Sequence, residues 1–438
     1  MKKLLILLTC VAFAGNVMAQ AEDDADKYYI RNSVYMMKLT EKAPNKEYEQ
    51  VYKIMNATFD TINFARRYER YNDFSLKNRV LDFDKLPAGT AEDGKAQGED
   101  SNKQAVYVGR LAKYFKQDKT AAKLVAKWYS TPNTPEGKVK LDNDLINIQE
   151  YGMKGISEEN KSNLLATGNM LTAYAKNTSD KLLKNTYVCV NRYNYVDAKD
   201  VIEAAGAIGD AALAVAGNNQ LLRAGLGFLS KKAKDVVKGY FVVAHAYLFQ
   251  LDWNERARNK VEVDYWKDDP KVQAKLIDDP VFKLKYVGHS SKRAPAAMSL
   301  KASTTLEKLI GRGTVRATDR SFAALQRDHE DFRPMTSLHV IDGKLAAYIG
   351  MKEDIEAGDK FDVFEAVMSK DDPNAMEWKK VGTIKVGKTV WDNREGAGEE
   401  IAGAAEDKDD QKAATTNYTE FKEKPGKFGE GHMIRLTK

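Results

Sequence analysis

The segment Gly382-Thr383-Ile384-Lys385-Val386-Gly387-Lys388-Thr389 spells the phosphate-loop pattern GxxxxGKT. That pattern binds nucleotide when a buried strand ends at the first glycine and a helix opens at the Lys-Thr pair. Backbone amides and helix dipole then converge on phosphate. Between the two glycines, however, Thr, Ile, Lys and Val alternate in the manner of a strand, and Lys388 is followed by Thr-Val-Trp-Asp, also strand formers. Gly382, Gly387, Lys388 and Thr389 are therefore expected in a β-hairpin, with Gly387-Lys388 as its two-residue turn. No nucleotide, and no other cofactor, is expected.

Five histidines are available for metal or proton chemistry. His245 falls in an apolar strand-like run, His289 in a loop, His339 in a strand and His432 beside the last strand. Only His329 has acidic neighbours (Asp328, Glu330 and Asp331), and successive helical residues point in different directions, which makes this a charged helix end. The chain has no HxxxH, HExxH or paired CxxC spacing, so no zinc or iron site is expected. The acidic run Glu406 to Asp410 lacks the central glycine and distal glutamate of a calcium loop. GxSxG is absent too, and Cys189, between valines in an expected strand, has the setting of a structural thiol. A catalytic carboxylate pair can come from anywhere in a fold. An exported hydrolase using carboxylates thus stands as the alternative to a non-enzymatic role.

Where these residues work depends on the first segment. Lys2 and Lys3 precede the short apolar core Leu4 to Phe13, and Val17-Met18-Ala19 supplies the small residues of a signal-peptidase site. Residues 1–19 are read as a signal peptide cut between Ala19 and Gln20. They are too short an apolar run to anchor the chain across a bilayer. Leu8-Thr9 ahead of Cys10 is not a lipobox, so simple cleavage is expected rather than lipidation. Cys189 is then the single thiol left, which excludes an internal disulfide. Export also removes the chain from cytosolic ATP. A chain of 438 residues exceeds one ordinary core, and 43% hydrophobic residues suffice to build more than one. With 69 basic against 63 acidic residues the charge is nearly balanced, and no nucleic-acid partner is implied.

Periodicity supplies the elements. A strand is expected over residues 28–39 and a helix over 48–71, where Val51, Ile54, Met55, Thr58, Ile62 and Ala65 share a face. Residues 87–104 read as an exposed loop. Helices follow over 106–129, ended by Pro132 and Pro135, and over 157–183. Residues 185–196 alternate as a strand. The Ala/Gly-rich stretch 204–229 is expected as closely packed helices. Each arm is shorter than a membrane span and Asp210 is costly in lipid, so peripheral membrane association is the lesser alternative. Strands are expected over 239–253, 261–266 and 282–288, then helices over 300–310 and 319–332. After Pro334, short strands recur between Gly, Asp and Asn turns, indicating a small barrel or sandwich. Residues 395–417 form a polar insertion expected to be mobile.

Several stretches together carry a resemblance: Arg31 to Leu39 (RNSVYMMKL), KNTYVCVN, YLFQLDWN at 247–254, IGMKEDIEAGDKFDVFEAV at 349–367, KKVGTIKV and VWDNR. Over nearly the whole chain after the leader, the pattern resembles a family of uncharacterised exported cell-envelope proteins of the Bacteroidales, some described as immunoreactive antigens. That resemblance brings no catalytic residues. The phrase at 349–367 also looks like the C-terminal SH3-like barrel of flagellar and curli-type envelope assembly proteins, which implies docking in an envelope complex. Asp60-Thr61-Ile62 fits the O-glycosylation sequon of exported Bacteroidales proteins. The expected architecture is α+β: an N-terminal mixed domain over 20–198, its continuation over 199–333, and an all-β module over 334–438. The expected role is binding or scaffolding, with a protein partner, in the periplasm, at the outer membrane or at the cell surface.

Overall fold

In a computed structural model, residues 29–30, 32–62, 80–129, 182–197, 240–295, 305–368, 370, 376–397 and 416–437 are described. The fold is α+β. Strands β1 (Tyr29–Ile30), β2 (Ser33–Thr40), β3 (Val80–Asp82), β4 (Thr186–Asp197), β5 (Tyr240–Leu251) and β6 (Leu284–Pro295) come first. All but β1 form one sheet of order β3-β2-β4-β5-β6, with β2 parallel to β3 and β4, and the remaining pairs antiparallel. The sheet takes strands from both sides of residue 198, so the first two expected segments share one body.

Both faces of this sheet are covered, which is why its strands are apolar on both sides instead of alternating with polar residues. The first four helices are α1 (Glu49–Thr61), α2 (Ala91–Lys95), α3 (Asn102–Asp118) and α4 (Thr120–Tyr129). Tyr35, Met37, Leu39, Val188, Val190, Tyr247 and Phe249 are buried on the face that α3 and α4 cover. On the other face Val34, Met36, Tyr187, Cys189, Tyr193, Ala244 and Leu248 pack against α1 and a long helix described below. α1 presents Val51, Ile54, Met55 and Phe59 to this core. The first three were expected there, and Phe59 rather than Thr58 is the next. The chain is already extended at Ile62, and the rest of the expected helix lies outside the described residues.

Four expectations need correction. The expected loop 87–104 holds α2, capped by Thr90, whose hydroxyl accepts from the Asp93 amide while Asp93 accepts from the Thr90 amide. The expected helix 106–129 is two helices, because Lys119 turns left-handed (φ 58°) and ends α3. The expected strand 261–266 is instead a wide helical turn, Lys260–Tyr265, that follows the short helix α5 (Glu255–Asn259) and precedes α6 (Pro270–Ala274). Val261 and Tyr265, on one face of that turn, are buried, a spacing that alternation mimics. Finally, the helices expected at 300–310 and 319–332 are one, α7 (Leu306–Asp328), followed by a short 3-10 turn at Glu330–Phe332. Gly311 does not break α7. A β-carbon there would make an ordinary contact, 3.4 Å from the Thr58 hydroxyl of α1.

The C-terminal module is all β. Its strands are β7 (Met335–Ser337), β8 (His339–Ile341), β9 (Lys344–Ala347), β10 (Lys360–Met368), β11 (Met376–Lys385), β12 (Thr419–Glu420) and β13 (Met433–Leu436). One antiparallel sheet runs β1-β7-β13-β10-β11 and a second runs β12-β9-β8. Asp342 and Gly343, both at positive φ (49° and 71°), make the two-residue turn between β8 and β9. Leu345, Ile349, Phe361, Val363, Ile384, Phe421 and Ile434 form the core between the sheets. β1 thus carries residues 29–30 from the chain's N-terminal part into the C-terminal sheet. The module is further tied to α7, where Arg327 Nη2 donates to Asp359 at 2.8 Å, and Arg435 donates to Glu330 at 2.9 Å.

Candidate functional site

The carboxyl ends of the parallel strands β2 and β4 are where an open α/β sheet offers a ligand crevice. On the α3 face, this end of the sheet changes from apolar to polar. Below it lie Met37, Val190 and Phe249; at it stand Arg192 and Asn194 on β4, His245 and Tyr247 on β5, and His289 on β6. Glu41 follows β2, and Gln104 and Tyr107 reach in from the first turns of α3.

Arg192 is the centre. Its side chain is only 4% exposed, against 18% for its partner Glu41. Nη1 donates to Glu41 Oε2 at 2.8 Å and to the Tyr107 hydroxyl at 2.9 Å. That hydroxyl donates to Glu41 Oε1 at 2.7 Å, closing a triangle. The guanidinium carbon sits 4.3 Å from the Tyr107 ring centroid, adding a cation–π contact. Nε and Nη2 are buried, and the Tyr247 hydroxyl lies against the same guanidinium. Burial opposes the charge on Arg192, but Tyr247 and Glu41 outweigh it and its pKa is raised.

The histidines sit next to it. His245 is the cross-strand neighbour of Arg192, and His289 that of Tyr247. The His245 Nδ1 and His289 Nε2 atoms are 3.3 Å apart, and His245 Nε2 is 3.3 Å from the Asn194 amide nitrogen. Their rings stack with centroids 5.5 Å apart. Burial, with Arg192 assisting, pushes His245 down to about 3. Burial likewise pushes His289 down to about 4, with the Glu99 carboxylate opposing. Both rings are neutral at pH 7. Tyr247 donates to Gln104 Oε1 at 2.6 Å, and Tyr286 donates to Glu99. Burial raises Tyr107 to about 12, with the Glu41 hydrogen bond adding to it. Tyr247 and Tyr286 are raised as well, chiefly by burial.

A β-bulge brings the last two members together. Leu248 pairs with Gly288 but Phe249 pairs with Tyr286, leaving Val287 as the extra residue. Tyr286 and His289, three apart, can then both pack on the α3 face: Tyr286 against Phe249, and His289 against Tyr247. Gly288 is required at this point. A β-carbon there would fall 2.2 Å from the His329 ring nitrogen.

Sequence reasoning placed His289 in a loop, whereas it is a strand residue of this cluster. His245 stands in a strand, as expected, while Glu41, Gln104, Tyr107, Arg192 and Tyr247 were not singled out. A legible signal existed: polar Arg192, Asn194 and His245 recur at alternate positions in strands otherwise apolar on that face. The other expected residues lie elsewhere. Gly382 is inside β11, at a second bulge opposite Val363, with its α-carbon against the Phe428 ring. The Gly387 amide donates to Glu420 O at 2.7 Å. No helix opens at Lys388, which rules out the phosphate-loop geometry. Nor does the chain turn back as a hairpin, since Trp391 bridges to Gly350 and Thr389 O accepts from Glu420. The turn at Gly387-Lys388 is corrected to a crossing between the two sheets.

Cys189 is buried in β4, as expected of a structural thiol. Thr61 of the Asp60-Thr61-Ile62 tripeptide is exposed at the end of α1, its hydroxyl on Thr58 O at 2.8 Å. Ala19, Gln20, the 204–229 stretch and the Glu406 to Asp410 run lie outside the described residues. Among the described residues, no group of three or more His, Cys, Asp or Glu side chains is arranged to hold a metal. No described helix is long and apolar enough to cross a membrane. No family model matches the chain, and no curated protein matches it.

Proposed function

We propose that this is an exported cell-envelope protein that works by binding, and that the Arg192 cluster is where its body holds a ligand. One observation carries this reading: the shifted groups of the cluster are all moved away from neutrality. His245 at about 3 and His289 at about 4 lie below it, and Tyr107 at about 12 lies above it. General acid–base catalysis is most efficient when the catalytic pKa lies near the working pH. A cluster fixed in one protonation state instead offers an unchanging pattern of donors and acceptors, which is what recognition needs. The leader and its expected cut at Ala19-Gln20 support a periplasmic or outer-membrane location. The resemblance of residues 349–367 to envelope assembly barrels supports a protein partner docked on the β module.

The carboxylate-hydrolase alternative has one observation of its own, since Glu41 and Glu99 both approach the cluster. Each accepts from a tyrosine hydroxyl, Glu41 from Tyr107 and Glu99 from Tyr286. Native mass spectrometry of the protein purified from its own envelope separates the two. A retained, chemically intact small molecule, on a chain starting at Gln20, is the expected result. Turnover of that molecule, lost in an E41Q or E99Q variant, would establish the hydrolase instead. A chain that keeps Met1 and fractionates with the cytoplasm would overturn the location.

A further inference from the structure

The outer strand of a sheet offers unpaired backbone groups to another strand, and most such edges in this fold are short or guarded. β1, β3 and β12 run two or three residues each. On β8 the amide of Val340 is taken by Glu430 Oε1 at 2.9 Å. β6 is long, but it carries Lys285, Lys292 and Arg293 and no carboxylate, so a like strand would be repelled. β11 is different. Its C-terminal end is covered, since the Lys385 amide donates to Glu423 and its carbonyl accepts from the Lys422 amide, both at 2.8 Å, and the Phe428 ring lies against Gly382. From Met376 to Val381, among the described residues, no backbone group meets the outer edge.

The charges on this open run select both a partner and a register. Glu377, Lys379 and Lys380 are exposed. Glu377 and Lys379 are two apart and so share a face. On that face the β10 neighbour of Lys379 is Glu365, whereas the neighbour of Glu377 is Val367. Consider an antiparallel copy of the same strand, related by a two-fold axis through Trp378. Glu377 then stands opposite Lys379 of the second copy, and symmetry makes that pair twice. Each Lys379 lies between two carboxylates, its own Glu365 and Glu377 of the second copy. The pleat requires the axis to fall on a residue. Placed on Glu377, Lys379 or Lys380, it would set a charge against its own like, which is unfavourable for directly opposed residues. The Trp378 register pairs residues 376–380 alone, all within the uncovered run.

We infer that the open half of β11 is an interface with a second copy of this chain, paired antiparallel about Trp378, so that the five-stranded sheets of the two β modules run on as one. Trp378, half-buried in the single chain, meets its counterpart on the axis as an aromatic cross-strand pair. So short a seam belongs with small, reversible interfaces. The inference is independent of the ligand-binding role proposed for the Arg192 cluster.

Sedimentation equilibrium of the mature chain over a concentration series is the test, and a reversible monomer–dimer equilibrium is the expected result. Glu377→Lys sets two lysine pairs face to face across the axis, and Lys379→Glu sets two glutamate pairs. Each should weaken the dimer about tenfold or more. Combining Glu377→Lys with Lys379→Glu restores opposite charges across the axis and should recover much of the loss. A crosslink reports the register separately. Trp378→Cys brings two thiols to the axis with α-carbons about 4.5–5.5 Å apart, within disulfide reach. The other thiol of the mature chain, Cys189, is buried. Mild oxidation should join Trp378→Cys chains in pairs and leave Lys380→Cys, which is off the axis, uncrosslinked. If a charge variant does not fold, the crosslink decides alone. A chain that stays monomeric, a dimer that both charge reversals leave intact, a combined variant no better than the single ones, or crosslinking through position 380 instead of 378 would each overturn the inference.

Discussion

Replacing Glu41 by Gln preserves side-chain size but removes the charge that faces Arg192, and its cost can be worked from the geometry. The guanidinium is buried, with a side chain 4% exposed, so losing its partner leaves an uncompensated charge among apolar residues. Breaking a buried pair from one side costs about 3–5 kcal/mol. The Glu41 side chain is 18% exposed, so some water reaches the gap and the low end, about 3 kcal/mol, applies. Arg192→Met acts differently. It removes the whole guanidinium, and the Glu41 carboxylate left behind, 18% exposed, can meet solvent. Its net cost should be about 1 kcal/mol, from the lost Tyr107 bond and stacking. The double variant should then cost little more than Arg192→Met alone, giving a coupling of about 2 kcal/mol or more. Urea denaturation of the mature chain, monitored by intrinsic fluorescence, measures all three. An E41Q cost below about 1 kcal/mol, or strictly additive costs, would refute the view that this pair is a desolvated, mutually dependent unit.

Acid should destabilise the fold in a defined window. His245 and His289 have folded pKa values of about 3 and about 4 against 6.5 when unfolded, so below 6.5 the unfolded chain binds more protons and stability falls as pH drops toward 4. The slope approaches about 1.4 kcal/mol per pH unit per histidine, and denaturation midpoints that stay level between pH 6.5 and 4.5 would contradict it. Lys38, buried on the opposite face, donates to both Asp60 oxygens and to Asn56 O at 2.8 Å, while Asp60 is 58% exposed. Asp60→Ala should therefore cost about 2 kcal/mol and Lys38→Met less than about 1, because only the lysine is stranded when its partner goes; equal costs in equilibrium denaturation would argue against this. Gly382→Ala places a β-carbon 2.3 Å from the Phe428 ring and should destabilise the β module by about 1–3 kcal/mol. Phe428→Leu should relieve part of that cost, and the absence of any rescue in thermal unfolding would show that the contact is not what excludes a side chain.

The sequence by itself determined the α+β class, the succession of most strands, the predominantly β character of the described residues after Pro334, and the structural place of Cys189. These follow from period and composition, which act over a few residues. β4 and β5 were legible because apolar, β-branched and aromatic residues run together through Thr186–Asp197 and Tyr240–Leu251. The local rule failed where a distant contact overrode it. Gly311 would ordinarily weaken a helix, but α7 runs on through it with Ile310, Ala317, Phe322 and Leu325 buried against the sheet, and alternation over 261–266 belongs to a helical turn with one buried face. The polar positions Arg192, Asn194 and His245 were legible as interruptions of apolar strands, but their assembly into one cluster was decided by tertiary structure. Glu41, Gln104, Arg192, His245 and His289 are brought together by strand pairing and helix docking, through contacts 44 to 151 positions apart in sequence, and by an extra residue, Val287, in one ladder. Cross-strand register and a single bulge are properties of paired strands, which no window along one chain contains.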